Sequence, residues 1–137
     1  MPDEMVPFLM VEDIGQSVAF YVDGLGFEME ESWRPGGNLR WCQLRKSGAA
    51  LMLQEHSHDY TPQAKGRGMR LCIMCDDALA YHREFSGRGI ETDEPYVGNG
   101  LWVTPVTDPD GYHLDFESPT DIPEETRLSD LPHRDCP

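Results

Sequence analysis

The chain has 137 residues, with 25 acidic against 11 basic side chains and a formal charge of −14. The length suits one domain with a modest core, and 39% hydrophobic with 26% charged residues argues against a disordered chain. So acidic a surface argues against bare nucleic acid and anionic membranes as partners, and it draws in positively charged small ligands.

The N-terminus opens on Asp3 and Glu4, without a basic region followed by an apolar stretch. No secretory signal is therefore expected, and the default location is the cytoplasm. The longest apolar run, Ala49 to Leu53, is far short of the roughly 20 residues needed to span a bilayer. In a reducing compartment the four cysteines, Cys42, Cys72, Cys75 and Cys136, are expected as free thiols.

Taken in order, the chain reads as two similar halves. Val6 to Val11 is an apolar strand. Asp13 followed by Gln16 three residues later is a capping pattern that starts a helix, with Ile14, Val18 and Tyr21 as its apolar stripe and Gly24 and Gly26 ending it. Strands follow at Phe27 to Trp33, Leu39 to Arg45 and Ala49 to Glu55, separated by turns at Pro35-Gly36-Gly37-Asn38 and Ser47-Gly48. Residues 56–66 form a polar linker.

The second half repeats the order. Met69 to Cys75 is a strand, and Asp76 or Asp77 caps a helix carrying Leu79, Tyr81, His82 and Phe85. Gly87 and Gly89 end that helix. Strands follow at Ile90 to Val97, Leu101 to Val106 and Tyr112 to Glu117, with turns at Gly98-Asn99-Gly100 and Asp108-Pro109-Asp110-Gly111. Cys72 and Cys75 lie three apart on a strand and so point to opposite faces, which argues against a metal or redox pair. The aspartates of the last turn lack the further acceptors of a calcium loop.

The resulting class is α+β. Two βαβββ modules, about residues 5–55 and 67–118, form a cupped mixed sheet of eight strands with helices outside, all within one domain at 1–118. An acidic, proline-containing tail occupies 119–137 and is expected to wrap the surface or to be partly disordered.

Four segments carry a resemblance. They are Val11-Glu12-Asp13-Ile14-Gly15-Gln16-Ser17-Val18-Ala19-Phe20-Tyr21, Leu25-Gly26-Phe27-Glu28, Gly87-Arg88-Gly89-Ile90 and Thr107-Asp108-Pro109-Asp110-Gly111-Tyr112. Across about residues 5 to 118 the chain resembles the vicinal oxygen chelate superfamily of glyoxalases, extradiol dioxygenases, fosfomycin-resistance enzymes and bleomycin-resistance proteins. The resemblance implies paired modules, often completed by dimerisation, and a divalent metal held by His and Glu at four strand positions. Those positions fall here at Val6, near Met52, at Arg70 (or Met69 if the register slips by one) and at Asp115. Only Asp115 is a hard-metal ligand, and a divalent site needs about three. No metal cofactor is therefore expected.

A metal-free pocket would hold its ligand by shape, rings and a few polar groups. Phe8 shares parity with Val6, and Met52 occupies a metal position. Trp33, Trp41 and Trp102 lie in strands or at strand ends, although parity alone does not settle which face Trp41 and Trp102 present. His113, Asp115 and Glu117 alternate along one strand face. The expected ligand-binding set is Phe8, Trp33, Trp41, Met52, Arg70, Trp102, His113, Asp115 and Glu117, with no catalytic residue.

Acidity, missing metal ligands and tryptophans together are closest in character to the bleomycin-resistance-like members. The expectation is a homodimer that sequesters an aromatic or cationic small molecule, with Asp115 and Glu117 as counter-charges. Two alternatives stay open. One is a metal-dependent glyoxalase-like lyase or isomerase, or a dioxygenase, with a divalent metal in a shifted site using His113, Asp115, Glu117, His56 or His58. The other is a metal-free enzyme with His113 and Glu117 as acid and base.

Overall fold

The computed structural model describes residues 2–56 and 65–132. The predicted linker thus falls largely, with His58, outside the described residues, as does Cys136 in the tail. The chain divides into two compact units, Met1–Arg67 with Pro109–Gly111, and Gly68–Asp108 with Tyr112–Pro137.

In the first unit, β1 (Phe8–Val11) leads to α1 (Ile14–Val18), which widens into a π-helical stretch over Ala19–Gly24. β2 (Glu28–Trp33), β3 (Trp41–Lys46) and β4 (Ala49–Glu55) follow, and the sheet order is β1-β4-β3-β2. β1 runs parallel to β4, and the other pairs are antiparallel. Asp13 caps α1 as its sequence predicts, accepting a hydrogen bond from Gln16 N at 3.1 Å. The first strand begins at Phe8 rather than Val6, because Pro7 has no N–H for the ladder, although its carbonyl still accepts from Met52 N.

Alternation along these strands divides the residues between two faces. Leu9, Val11, Cys42, Leu44, Leu51 and Leu53 are buried on the helix side with Ile14, Tyr21, Leu25 and Phe27. The opposite face carries Phe8, Met10, Trp41, Gln43, Arg45, Met52 and Gln54.

The second unit repeats the plan with β5 (Leu71–Met74), α2 (Ala78–Gly87), β6 (Tyr96–Gly98), β7 (Leu101–Thr107) and β8 (His113–Pro119), in the order β5-β8-β7-β6. Asp77, of the two predicted candidates, caps α2 by accepting from Ala80 N. Phe85, Tyr81 and Phe116 form the aromatic centre between α2 and β8, with ring centroids 5.1–5.3 Å apart. All eight predicted strands are present, as two four-stranded sheets.

Two boundaries differ from the sequence reading. The strand predicted over Ile90–Val97 shrinks to Tyr96–Gly98, leaving one isolated bridge between Thr92 and Val106. Pro95 removes a ladder donor just before β6. Tyr112 belongs to the preceding turn, since its N–H donates to the Asp108 carboxylate at 2.9 Å instead of to a strand.

The described part of the tail runs to residue 132. It lies along β6, with Val97 N donating to Thr126 O and Glu125 N to Val97 O, both at 2.9 Å. Ile122 and Leu131 pack on the cluster of Ala78, Val97 and Trp102.

Half-buried His82 on α2 contacts Thr92 Oγ1 through Nδ1 at 2.6 Å. Burial, aided by the charge of Arg83, holds its pKa below the ordinary 6.5. The fold therefore keeps this imidazole neutral where the unfolded chain takes up a proton. Its contribution is intact above pH 6.5 and is lost as pH falls through the lowered folded value. Urea unfolding at pH 7.5 and 5.5 should show a smaller acid-induced loss of stability in His82→Gln than in the parent. Equal losses in the two proteins would contradict this assignment.

Candidate functional site

Eight of the nine candidate residues lie on the side of their own sheet turned away from its helix, four with the first sheet and four with the second. On the first sheet, register places Phe8 beside Met52, Met52 beside Gln43, Met10 beside Gln54, Gln54 beside Trp41, and Trp41 beside Trp33. Four of the nine expected site residues, Phe8, Trp33, Trp41 and Met52, thus share one surface. Phe8 is 49% exposed and Trp33 56% exposed. The register slips between Met29 and Glu31, and Glu30 reaches Gln43 Nε2 at 3.1 Å and Arg45 Nε at 2.9 Å. Arg45 also donates to Glu4 at 2.9 Å. The Arg45 guanidinium holds the Glu30 carboxyl below the usual carboxylate range. Glu30, Gln43 and Arg45 are outside the expected set; strand parity from Trp41 finds the latter two.

On the second sheet, Arg70 forks onto Asp115, with Nε to Oδ2 at 2.7 Å and Nη2 to Oδ1 at 2.8 Å. The Asp115 side chain is 6% exposed, whereas that of Arg70 is 48% exposed. The hydrogen bond to Asp115 shifts the guanidinium pKa further upward, so Arg70 is permanently charged. Cys72 pairs in register with Asp115 and lies beside Glu117 on the same face. His113 also shares this face, and its Nδ1 contacts Thr107 Oγ1 at 3.2 Å. Tyr96 joins it through its register with Val103.

Trp102 departs from the expectation. It is 7% exposed and sits on the helix side, packed with Ala78 and Val97 beneath Ile122 and Leu131 of the tail. Its neighbour in register, Ser118, accepts from the N–H of Ala78, which sets that whole row toward α2. Trp102 is a core residue, on the same face as buried Thr104.

Cys72 and Cys75 point apart, as their spacing predicts. Cys72 is exposed on the open face, whereas Cys75 is half-buried and its Sγ donates to Glu117 O at 3.5 Å. Hydrogen bonding to Glu117, then burial, pushes the Cys72 thiol up to about 11. An exposed thiol so shifted should alkylate slowly at pH 8, since only the thiolate reacts. Glu117→Gln is expected to raise the iodoacetamide rate at Cys72 several-fold, read by mass spectrometry of the Cys72 peptide. An unchanged rate would remove Glu117 as the cause.

The donor set at the four metal positions implied by the resemblance does not fit a divalent ion. Val6 has no donor, Met52 offers only a thioether, Arg70 is a cation, and both oxygens of Asp115 are held by Arg70. Among the described residues one trio of donors converges, Cys72, Asp115 and Glu117, with atoms within 4.8 Å of one another. It does not include His113, and the Arg70 charge stands against a cation there. Among the described residues no helix is long and apolar enough to cross a membrane.

Comparison with known proteins agrees with this architecture. TioX from Micromonospora sp. ML1 superposes with a TM-score of 0.69 at 21% identity, covering 85% of this chain and 98% of that one. TnmS3, an antibiotic binding protein from Streptomyces sp. CB03234, gives 0.65 at 23%, covering 88% and 99%. Lactoylglutathione lyase from Agrobacterium tumefaciens gives 0.62 at 20%, covering 85% and 94%. At these identities the likeness is one of fold. No curated protein matches the sequence at a significant level. The model of the Glyoxalase/Bleomycin resistance protein/Dioxygenase superfamily matches residues 5–116. With its repeated βαβββ units and this match over most of its length, the chain belongs to the glyoxalase/bleomycin resistance protein/dioxygenase superfamily.

Proposed function

We propose that the protein is a metal-free small-molecule binder, in character like the bleomycin-resistance members of its superfamily, and that it sequesters an aromatic or cationic ligand. The observation that carries this is the open face of the first sheet. There Phe8, Met10, Trp33, Trp41 and Met52 form a half-exposed stripe of rings and thioethers that the helix-side core does not use. Such a surface holds a planar ring by stacking and by apolar burial. On the second sheet a cationic ligand would have Glu117 as its counter-charge, with Arg70 opposing it. Arg70 neutralises Asp115, which leaves Glu117 as the carboxylate facing no cation among the described residues. Asp115 is thus less suited than Glu117 to act as a counter-charge.

The antibiotic-binding neighbour TnmS3 is consistent with this reading, and the lyase neighbour keeps the enzymatic alternative in view. The free thiols Cys42, Cys72 and Cys75 suit a reducing cytoplasm. Exposed Phe8, Trp33 and Met74 suit a homodimer, which light scattering on the purified protein reads directly.

The test is titration with bleomycin and with a planar aromatic cation such as ethidium, followed by calorimetry and tryptophan fluorescence. Binding heat and quenching are expected, and Trp41→Ala should weaken affinity by about tenfold or more, the scale of losing one stacked anchor. Trp102, buried in the core, should report no quenching in a Trp33→Phe/Trp41→Phe variant. Absence of both heat and quenching at high micromolar ligand overturns the proposal. Stoichiometric metal in the purified protein would favour the lyase reading instead.

A further inference from the structure

Within the second unit, residues 120–131 are held differently from the strands they follow. β8 buries Leu114, Asp115, Phe116 and Ser118, whereas none of residues 119–132 is buried. Ile122 and Leu131 reach the cluster of Ala78, Val97 and Trp102 from partly exposed positions. The rest of the grip is polar. Thr120 N donates to Gly100 O, Glu125 N to Val97 O and Leu128 N to Pro95 O, at 2.9–3.0 Å, and Val97 N donates to Thr126 O at 2.9 Å.

Two carboxylates complete the grip from opposite sides. Glu124, in the segment, accepts from the successive N–H groups of Asn99 and Gly100 at 2.6 and 2.9 Å. Glu94, in the body of the unit, accepts from Ser129 N at 2.9 Å. Such bonds to a charged acceptor are stronger than those between neutral groups. Against them stands Glu125, whose φ of 67° is a left-handed conformation that costs energy for a residue with a side chain. A segment with so little buried apolar surface, tied by exposed hydrogen bonds, lies at the low end of the stability range within a fold. Its contacts are also coupled. Glu124, Glu125 and Thr126 are consecutive, so letting go of Asn99 and Gly100 misaligns the two bonds to Val97 that follow.

We propose that residues 120–131 are a strap that opens and closes as one unit while the sheet beneath stays folded, and that Glu124 is its clasp. Closed, the strap takes both the N–H and the C=O of Val97 on β6, the last strand of its sheet, and covers Trp102. Cover of this kind keeps a sheet edge from accepting a foreign strand. Open, the strap leaves that edge unpaired and an aromatic core residue uncovered.

The test is native-state hydrogen exchange of the full chain, followed by NMR. The amides of Val97, Asn99, Gly100, Leu128 and Ser129 belong to different elements and should nonetheless share one opening constant. That constant should exceed the one for the Leu114 and Phe116 amides of β8 by about tenfold or more. Glu124→Gln keeps an acceptor but not the charge, and it should speed exchange of the whole group together by about tenfold, with β8 unchanged. Leu131→Ala, at the far end of the strap, should act on the same group. In a Trp33→Phe/Trp41→Phe background Trp102 is the one tryptophan left, and its quenching by acrylamide should rise with either variant. Exchange of Val97 and Ser129 at the β8 rate overturns a strap that opens ahead of its sheet. Acceleration confined to Asn99 and Gly100 in Glu124→Gln overturns the single unit. Unchanged exchange in that variant overturns the clasp.

Discussion

Phe116→Ala should lower the unfolding free energy by about 3–5 kcal/mol, the range for emptying a fully buried aromatic site. Phe116 is fully buried in β8, and its ring lies 5.1 Å from both Tyr81 and Phe85 of α2. It is the sheet's aromatic contact with that helix. The effect reaches the site because Phe116 stands between Asp115 and Glu117, which point to the other face by strand alternation. Loosening Phe116 therefore loosens the fork that Asp115 makes with Arg70. Urea unfolding monitored by circular dichroism reads the change as a lower midpoint at an unchanged slope. Phe116→Leu keeps most of the volume and should lose no more than about 1.5 kcal/mol. A loss below about 1 kcal/mol for the alanine variant, the level of an average substitution, would show that the aromatic trio does not hold α2 to its sheet.

The second large effect is expected at Asp110, in the turn Pro109–Gly111 that belongs to the first unit. Its side chain is 4% exposed and meets three donors there. Oδ1 accepts from Glu12 N at 2.9 Å, Oδ2 accepts from Ser17 Oγ at 3.4 Å, and Lys65 forms an ion pair with it at 14% exposure. Removing the carboxylate in Asp110→Ala strands a buried ammonium and orphans a helix-start donor. Breaking one side of a buried pair in this way typically destabilises by about 3–5 kcal/mol. Asp110→Asn keeps an acceptor for Glu12 and Ser17 and should fall between alanine and the parent. Adding Lys65→Met to Asp110→Ala should restore much of the loss, because the stranded charge is then gone. Full additivity of the two substitutions in a double-mutant cycle would show that the two side chains are not coupled.

Much of the fold is written in short-range chemistry. Asp13 before a 3.6-residue stripe, the glycine-rich turns and the alternating runs each act over a few residues, so the order βαβββ and its repetition are legible without a structure. The tail was the least legible part. Its hold on β6 depends on Thr126, Glu125 and Leu128 meeting a strand edge some thirty residues earlier in the chain, and no periodicity announces such a pairing.

Site residues divide along the same line. Strand parity grouped Phe8 with Met10, Met52 with Gln54, and His113 with Asp115 and Glu117, since alternation is a property of the strand itself; that Phe8 meets Met52 followed only from the positions the resemblance implies. It could not say which side of its sheet Trp102 would face, because that depends on where α2 and the tail settle.

By itself the sequence determined the eight strands and the two capped helices. These follow from residue identity and spacing. Only the tertiary structure decided that Arg70 would meet Asp115 rather than solvent and that Cys72 would lie against Glu117. Parallel pairing of β5 with β8 joins residues more than forty positions apart, and the side chains that meet across such a pair are chosen by strand register, which long-range packing sets.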